Sequence, residues 1–305
     1  MLLDNWNVRL IETCRFRLDG GAMFGVVPKN LWERAYPHVD EQNRIAMSAR
    51  ALLIEGVDAD GNERTIVVDA GCGHKLAEKL EKIYALDHST YTLTDGLAAA
   101  GVVPDQVTDF IYTHLHFDHA GGSTVLDSDG CAVPLFANAR HYVQKQQLDW
   151  ARSPSDKDRA SFMPENWEPI VEAGLLEVLD GPGTIFPGIE VRPFNGHTRG
   201  MQLVVVHGRG DVDAVEQTEE TSTIDGLVYM ADLVPTTAHI ALPYIMGYDN
   251  EPLVTLAEKK AFLPEAFERN WGLVLEHDAV AEGVKLVEGK RGLKGGGKFV
   301  VGDSE

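Results

Sequence analysis

The sequence predicts an α/β (α+β) protein in which strands and helices alternate along one 305-residue chain. Three observations predict it. Apolar, often β-branched runs of strand length recur, and many stop at Gly, Asp or His, as buried strands do where they open into functional loops. Helical candidates lie between those runs. Neither an internal repeat nor a clean break divides the chain, and its 44% apolar content is that of a globular protein. One domain over 1–305 is therefore expected.

Taken in order, strands are expected at 51–54 and 65–68, the second running into Asp69. Residues 75–84 form a helix candidate. Residues 93–100 form another, with Thr94 as N-cap and Gly101 as the stop. The run 107–112 leads into a His-rich segment, and 189–194, 203–206, 227–230 and 273–275 read as further strands. The longest helix is expected over 253–270, with Glu258, Lys259 and Lys260 beside apolar Leu256 and Phe262; Pro264 is expected to kink or divide it. Residues 1–45 are expected to supply an edge strand and a pocket loop. Residues 152–169 read as irregular and 208–224 as an acidic surface insertion. The Gly- and Lys-rich stretch 290–305 reads as a mobile tail.

Lys plus Arg number 27 against 47 Asp plus Glu, a formal charge of −20, and a surface that acidic repels phosphate backbones. Nucleic-acid binding is thereby disfavoured. No run approaches the roughly 20 apolar residues that span a bilayer, and the first residues do not read as a signal peptide. Cys14, Cys72 and Cys131 are too few and too scattered for a disulfide framework, which points to a reducing, cytoplasmic setting. Oligomeric state is not legible, although a homodimer is compatible with a chain of this kind.

The chemistry concentrates in Thr113-His114-Leu115-His116-Phe117-Asp118-His119, at the end of the strand-like run. On an extended chain His114 and His116 point to one side, and a turn brings Asp118 and His119 towards them. Imidazole plus carboxylate is a donor set for zinc, iron or manganese. Burying those groups without a cation leaves polar atoms unsatisfied at about 1–3 kcal/mol each. Gly121 and Gly122 allow a tight turn and close backbone packing afterwards.

This segment resembles the His-x-His-x-Asp-His signature of the metallo-β-lactamase-fold hydrolases. Later motifs follow in the order of that superfamily: Asn195-Gly196-His197-Thr198-Arg199-Gly200, Met230-Ala231-Asp232 and Glu276-His277-Asp278, each just beyond a strand-like run. Val68-Asp69-Ala70-Gly71 resembles its early Asp-x-Gly motif. The likeness covers about residues 46–280. It implies a four-layer αβ/βα sandwich of two mainly antiparallel sheets, with helices outside and metals at the shared edge. It also implies two divalent ions, zinc by default with iron or manganese acceptable. His114, His116 and His197 would hold one ion; Asp118, His119 and His277 would hold the other; Asp232 would bridge them, and Asp69 would orient a ligand histidine. The implied chemistry is hydrolysis by a metal-bridging hydroxide, with Asp118 or Asp232 passing a proton to the leaving group.

Among substrates of such hydrolases, a lactone such as an acyl-homoserine lactone is the leading expectation. Thioesters, as in glyoxalase II-like enzymes, and organophosphates are the alternatives, and a diiron redox protein is the alternative from another class. Arg199 stands where the thioesterases have Pro, and Pro235 follows Asp232 in the region where the lactonases carry a Tyr. Met23, Phe24, Trp32, Tyr244 and Met246 are candidates for an apolar pocket wall, with His239 facing the cavity. His38, His74, His88, His141 and His207 read as surface or structural residues.

Overall fold

The computed structural model describes residues 1–37, 39–208 and 224–302. The first half of the chain supplies β1 (Leu2–Leu3), β2 (Trp6–Asp19), β3 (Arg44–Val57), β4 (Glu63–Val68), β5 (Asp109–Ile111), a small hairpin of β6 (Thr124–Leu126) and β7 (Ala132–Pro134), β8 (Arg140–Gln144) and β9 (Leu176–Leu179). Apart from the hairpin, these form one seven-stranded sheet ordered β1-β2-β3-β4-β5-β8-β9. The second half supplies β10 (Gly183–Phe186), β11 (Ile189–Phe194), β12 (Met201–His207), β13 (Gly226–Tyr229), β14 (Trp271–Val274), β15 (Gly283–Gly289) and β16 (Gly292–Phe299). They pair in chain order as a second seven-stranded sheet.

The two sheets pack face to face over one apolar layer. Leu52, Ile54, Val68 and Ile111 from the first meet Val191, Val204, Val206, Leu227 and Tyr229 from the second, all buried. Alternation decides which side chains enter this layer. Leu52 and Ile54 point between the sheets, while Leu53 and Val67 point outward to Leu93, Leu97 and Leu148 on flanking helices. Helix Pro252–Glu268 covers the second sheet through Phe262, Leu263 and Ala266. The result is the expected four layers, helices outside and sheets inside.

The second sheet is antiparallel except for β13–β14. The first departs from the mainly antiparallel expectation. Its β4–β5, β5–β8 and β8–β9 pairs are all parallel. Parallel neighbours need crossovers long enough for helices, and Glu78–Tyr84 with Leu93–Ala99 supply the one between β4 and β5.

Other local expectations also shift. The first of these helices begins at Glu78 rather than at 75. Thr92, not Thr94, caps the second, its side chain accepting from the Asp95 amide. Helix Pro252–Glu268 runs through Pro264 undivided, because packing of its buried face outweighs one lost backbone hydrogen bond. The stretch read as a mobile tail instead forms β16 against β15, and Val301 beyond it is buried in the core. Its glycines suit a hairpin turn as well as a loose end, and composition does not separate the two. The acidic insertion at 208–224 lies almost entirely outside the described residues, as does His38. Among the described residues, no helix is long and apolar enough to cross a membrane.

Candidate metal centre

Five strand ends deliver the donors to one edge of the sandwich. Asp69 follows β4, residues 113–119 follow β5, His197 follows β11, Asp232 follows β13 and His277 follows β14. The pairs β4–β5 and β13–β14 are parallel, so each pair ends at the same edge. Asp69 and Ala231 adopt left-handed backbone (φ 55° and 41°) where the chain leaves β4 and β13. Gly121 is required by close approach: a Cβ there would lie 2.0 Å from the Cys72 carbonyl oxygen.

All seven predicted donors converge and are buried. In one group, the His116 Nδ1 lies 3.0 Å from the His114 Nε2 and 3.1 Å from the His197 Nε2. The Asp232 Oδ2 lies 3.1 Å from that same His197 nitrogen. In the other, the His119 Nε2 and His277 Nε2 are 3.2 Å apart, with Asp118 at 3.9 and 3.8 Å from them. Asp232 also lies 3.5 Å from His119 and 3.2 Å from His277, so it stands between the two groups.

The outer nitrogens orient the rings as a cation site requires. His277 Nδ1 donates to the Ser48 carbonyl at 2.8 Å, His119 Nδ1 to Asp69 at 3.0 Å and His197 Nδ1 to Asp249 at 3.0 Å. Each outer acceptor places the proton on Nδ1 and leaves Nε2 as a bare lone pair. Bare nitrogens then face one another across 3.2 Å, and His197 faces a carboxylate, an arrangement that repels unless a cation or extra protons lie between. The residues present therefore fit divalent metal ions.

The electrostatics carry the same conflict. Burial and the neighbouring imidazoles hold His114 and His116 well below the ordinary histidine value. Burial also opposes protonation of His197 and His277, yet Asp232 together with Asp249 at His197 and Glu276 at His277 pushes both up to about 9. Burial disfavours the Asp232 anion, but His197 and His277 hold its carboxyl well below the usual range.

Several supporting groups were not assigned roles from the sequence. Asp249 behind His197 lies outside the ligand motifs. Glu276 is fully buried with its Oε2 3.0 Å from the His119 Nδ1, and burial pushes its carboxyl up to about 7. Its place beside His277 in the chain was the available signal. Thr113 donates its amide and hydroxyl to Asp69 at 2.8 and 2.6 Å, holding that carboxylate under His119. Arg50 donates to the Leu275 and Asp278 carbonyls on either side of His277.

A cavity of about 110 Å3 opens onto His116, Asp118, His197, Asp232 and His277. Met23 and Met246 line it, as expected, together with Tyr84, Phe117, Tyr248 and Lys157. Phe24, Trp32, His239 and Tyr244 do not. Phe24 stacks between Trp32 (4.9 Å) and His239 (4.8 Å), and Tyr244 meets it edge-on. His239 is held by the Thr236 hydroxyl and by the Met23 carbonyl, both at 2.8 Å, and burial lowers it to about 4. These four form the layer behind the wall, held by ring contacts with Phe24 and by the two hydrogen bonds of His239.

Fold and site together define a metal-binding αβ/βα sandwich. The family model of the metallo-beta-lactamase superfamily matches residues 48–267, and the chain belongs to that superfamily. A probable metal-dependent hydrolase from Staphylococcus aureus is 27% identical, with a TM-score of 0.80 over 93% of this chain and 94% of its own. The dizinc quorum-quenching lactonase AidC, solved with the product N-hexanoyl-L-homoserine, superposes with a TM-score of 0.74 at 16% identity over 98% and 96% of the chains. An N-acyl homoserine lactonase from Bacillus sp is 25% identical over 111 residues, 36% of this chain. That match spans 37% of the relative's own length.

Proposed function

We propose that this chain is a dinuclear metal-dependent hydrolase acting on a small lactone with an apolar arm, in the manner of an acyl-homoserine lactone. The observation that carries the reading is the seven-donor cluster opening directly into a methionine- and aromatic-walled cavity. His114, His116 and His197 would hold one ion and Asp118, His119 and His277 the other, with Asp232 shared. Zinc is the default, and iron or manganese suits the same donors. Such a pair of ions polarises a carbonyl oxygen and makes water a nucleophile near neutral pH.

The chain's own groups supply the remainder. Asp69, Asp249 and the Ser48 carbonyl hold three imidazoles in the tautomer that presents Nε2. Asp118, which lines the cavity, would carry a proton to the departing ring oxygen, with Asp232 as the other carboxylate of the site. Met23, Met246 and Tyr248 seat the apolar arm and exclude water. The lactonases among the similar proteins support a lactone substrate.

The test is a panel of acyl lactones, thioesters, phosphotriesters and lactams, run on protein of measured metal content. Lactone turnover that scales with bound metal is expected. Faster turnover of a thioester or phosphotriester reassigns the substrate. A flat panel on fully loaded protein overturns the hydrolase reading, and an optical spectrum of untreated protein showing a redox-active diiron centre replaces it.

A further inference from the structure

Outside the metal centre, a cleft of about 640 Å3 lies between the 240–244 segment, helix Pro252–Glu268 and the turn joining β15 to β16. That volume is within the range of small-molecule sites. Its floor is apolar, formed by Leu242, Pro243, Leu263 and Leu293. Its rim is cationic. Lys260, Lys290, Arg291 and Lys294 are exposed there, and among the described residues no Asp or Glu lines the cleft. In a chain carrying 47 acidic residues against 27 basic ones, this local excess of one sign is the reverse of the whole.

Lys259 adds a buried charge at the base. Its side chain is inaccessible to solvent, and its ammonium donates to the Ala241 and Tyr244 carbonyls at 3.1 and 2.9 Å. An ammonium has three N–H donors, and the third has no acceptor among the described residues. Burial lowers this amine to about 7, against a smaller opposing pull from the Asp249 carboxylate.

We propose that this cleft is a second binding site for a soluble single-chain amphiphile with a carboxylate head, a fatty-acid-like anion. The carboxylate meets the Lys260, Lys290, Arg291 and Lys294 rim, and the chain lies along Leu242, Leu263 and Leu293. Charge selects this occupant over the others. A two-fold contact with a second copy through this patch would press the cationic rim against itself. An extended anionic membrane surface would be repelled by a chain of net charge −20, whereas one molecule sits wholly within the cationic patch.

The experiment is calorimetric titration of the full chain with decanoate below its micelle concentration, alongside decanol and acetate. One decanoate per chain is expected, with decanol and acetate each at least tenfold weaker. The charge-reversed variant Lys290→Glu/Arg291→Glu/Lys294→Glu changes only exposed side chains, and an unchanged melting temperature checks its fold. It is expected to bind decanoate at least tenfold more weakly while keeping its metal content. Leu293→Gln, at a half-buried position, is expected to weaken decanoate and leave acetate unchanged. Undiminished decanoate binding by the charge-reversed variant places the ligand elsewhere and overturns the proposal. Equal affinity for decanol or for acetate overturns it as well. So does absence of decanoate binding, whether the chain then proves to be a dimer that charge reversal splits or pellets with anionic vesicles.

Discussion

The Oδ1 of Asp249 lies 3.0 Å from the Nδ1 of His197, across 52 residues of chain. Both groups are buried, so the pair fixes the ring and its tautomer and aims a bare Nε2 at Asp232. Replacing the carboxylate by an amide keeps the size but loses the anion. Asp249→Asn is expected to weaken metal binding by about 10- to 100-fold, the usual cost of losing such a partner. Competition against a chelator of known affinity measures it. Unchanged metal affinity would sink the assigned role.

Asp232 lies within 3.5 Å of histidine nitrogens in both groups of donors. Asp232→Ala is expected to lose metal and hydrolytic activity together, by more than 100-fold in rate. Elemental analysis beside initial rates checks this. Full activity in a metal-depleted Asp232→Ala sample would falsify the bridging assignment.

What could be read from the sequence follows from how local each signal is. His114 to His119 sit in one short stretch, and His197, Asp232 and His277 each follow a strand-like run; periodicity and a short motif carry that much. Asp249 and the Ser48 carbonyl reach the site only through tertiary folding, and one of them is a backbone atom that no motif records. Phe24 and His239 were misplaced for the converse reason. Neither the apolar character of Phe24 nor the nearness of His239 to Asp232 in sequence reveals whether a side chain lines a cavity or the layer beneath. The β15–β16 hairpin was hidden by glycine and lysine, since its strand character lies in pairing with β15 rather than in composition.

His141 gives a pH signature separate from the metal ligands. It is buried between Phe110 and Tyr112, its Nδ1 donates to the Ala139 carbonyl at 3.1 Å, and burial lowers it to about 4. The unfolded chain takes up this proton near pH 6.5, before the folded chain does. The unfolded state therefore binds more protons between about pH 4 and 6.5, and stability falls as pH drops through that window. From pH 7.5 to 5.5 the loss is about 1 kcal/mol from this residue. His141→Phe keeps the ring packing and removes the titration. Urea unfolding at the two pH values is expected to show a loss smaller by that amount in the variant. Equal losses in the two proteins would refute the reading.

Met246 and Phe24 are near neighbours in the same apolar cluster, yet only Met246 reaches the cavity. Substitutions at the two positions should therefore separate binding from stability. Met246→Gln keeps the length of the side chain but puts an amide against the substrate's apolar arm. A lost apolar contact of this size is worth about 1–3 kcal/mol, so KM for long-armed lactones should rise roughly tenfold with kcat little changed. Phe24→Leu removes the ring stacked between Trp32 and His239. It should cost about 1–3 kcal/mol of stability through lost packing and aromatic contact, and leave KM unaltered. Initial rates across a series of acyl lengths, read beside thermal melts, test both halves. A larger KM effect from Phe24→Leu than from Met246→Gln would return Phe24 to the substrate wall.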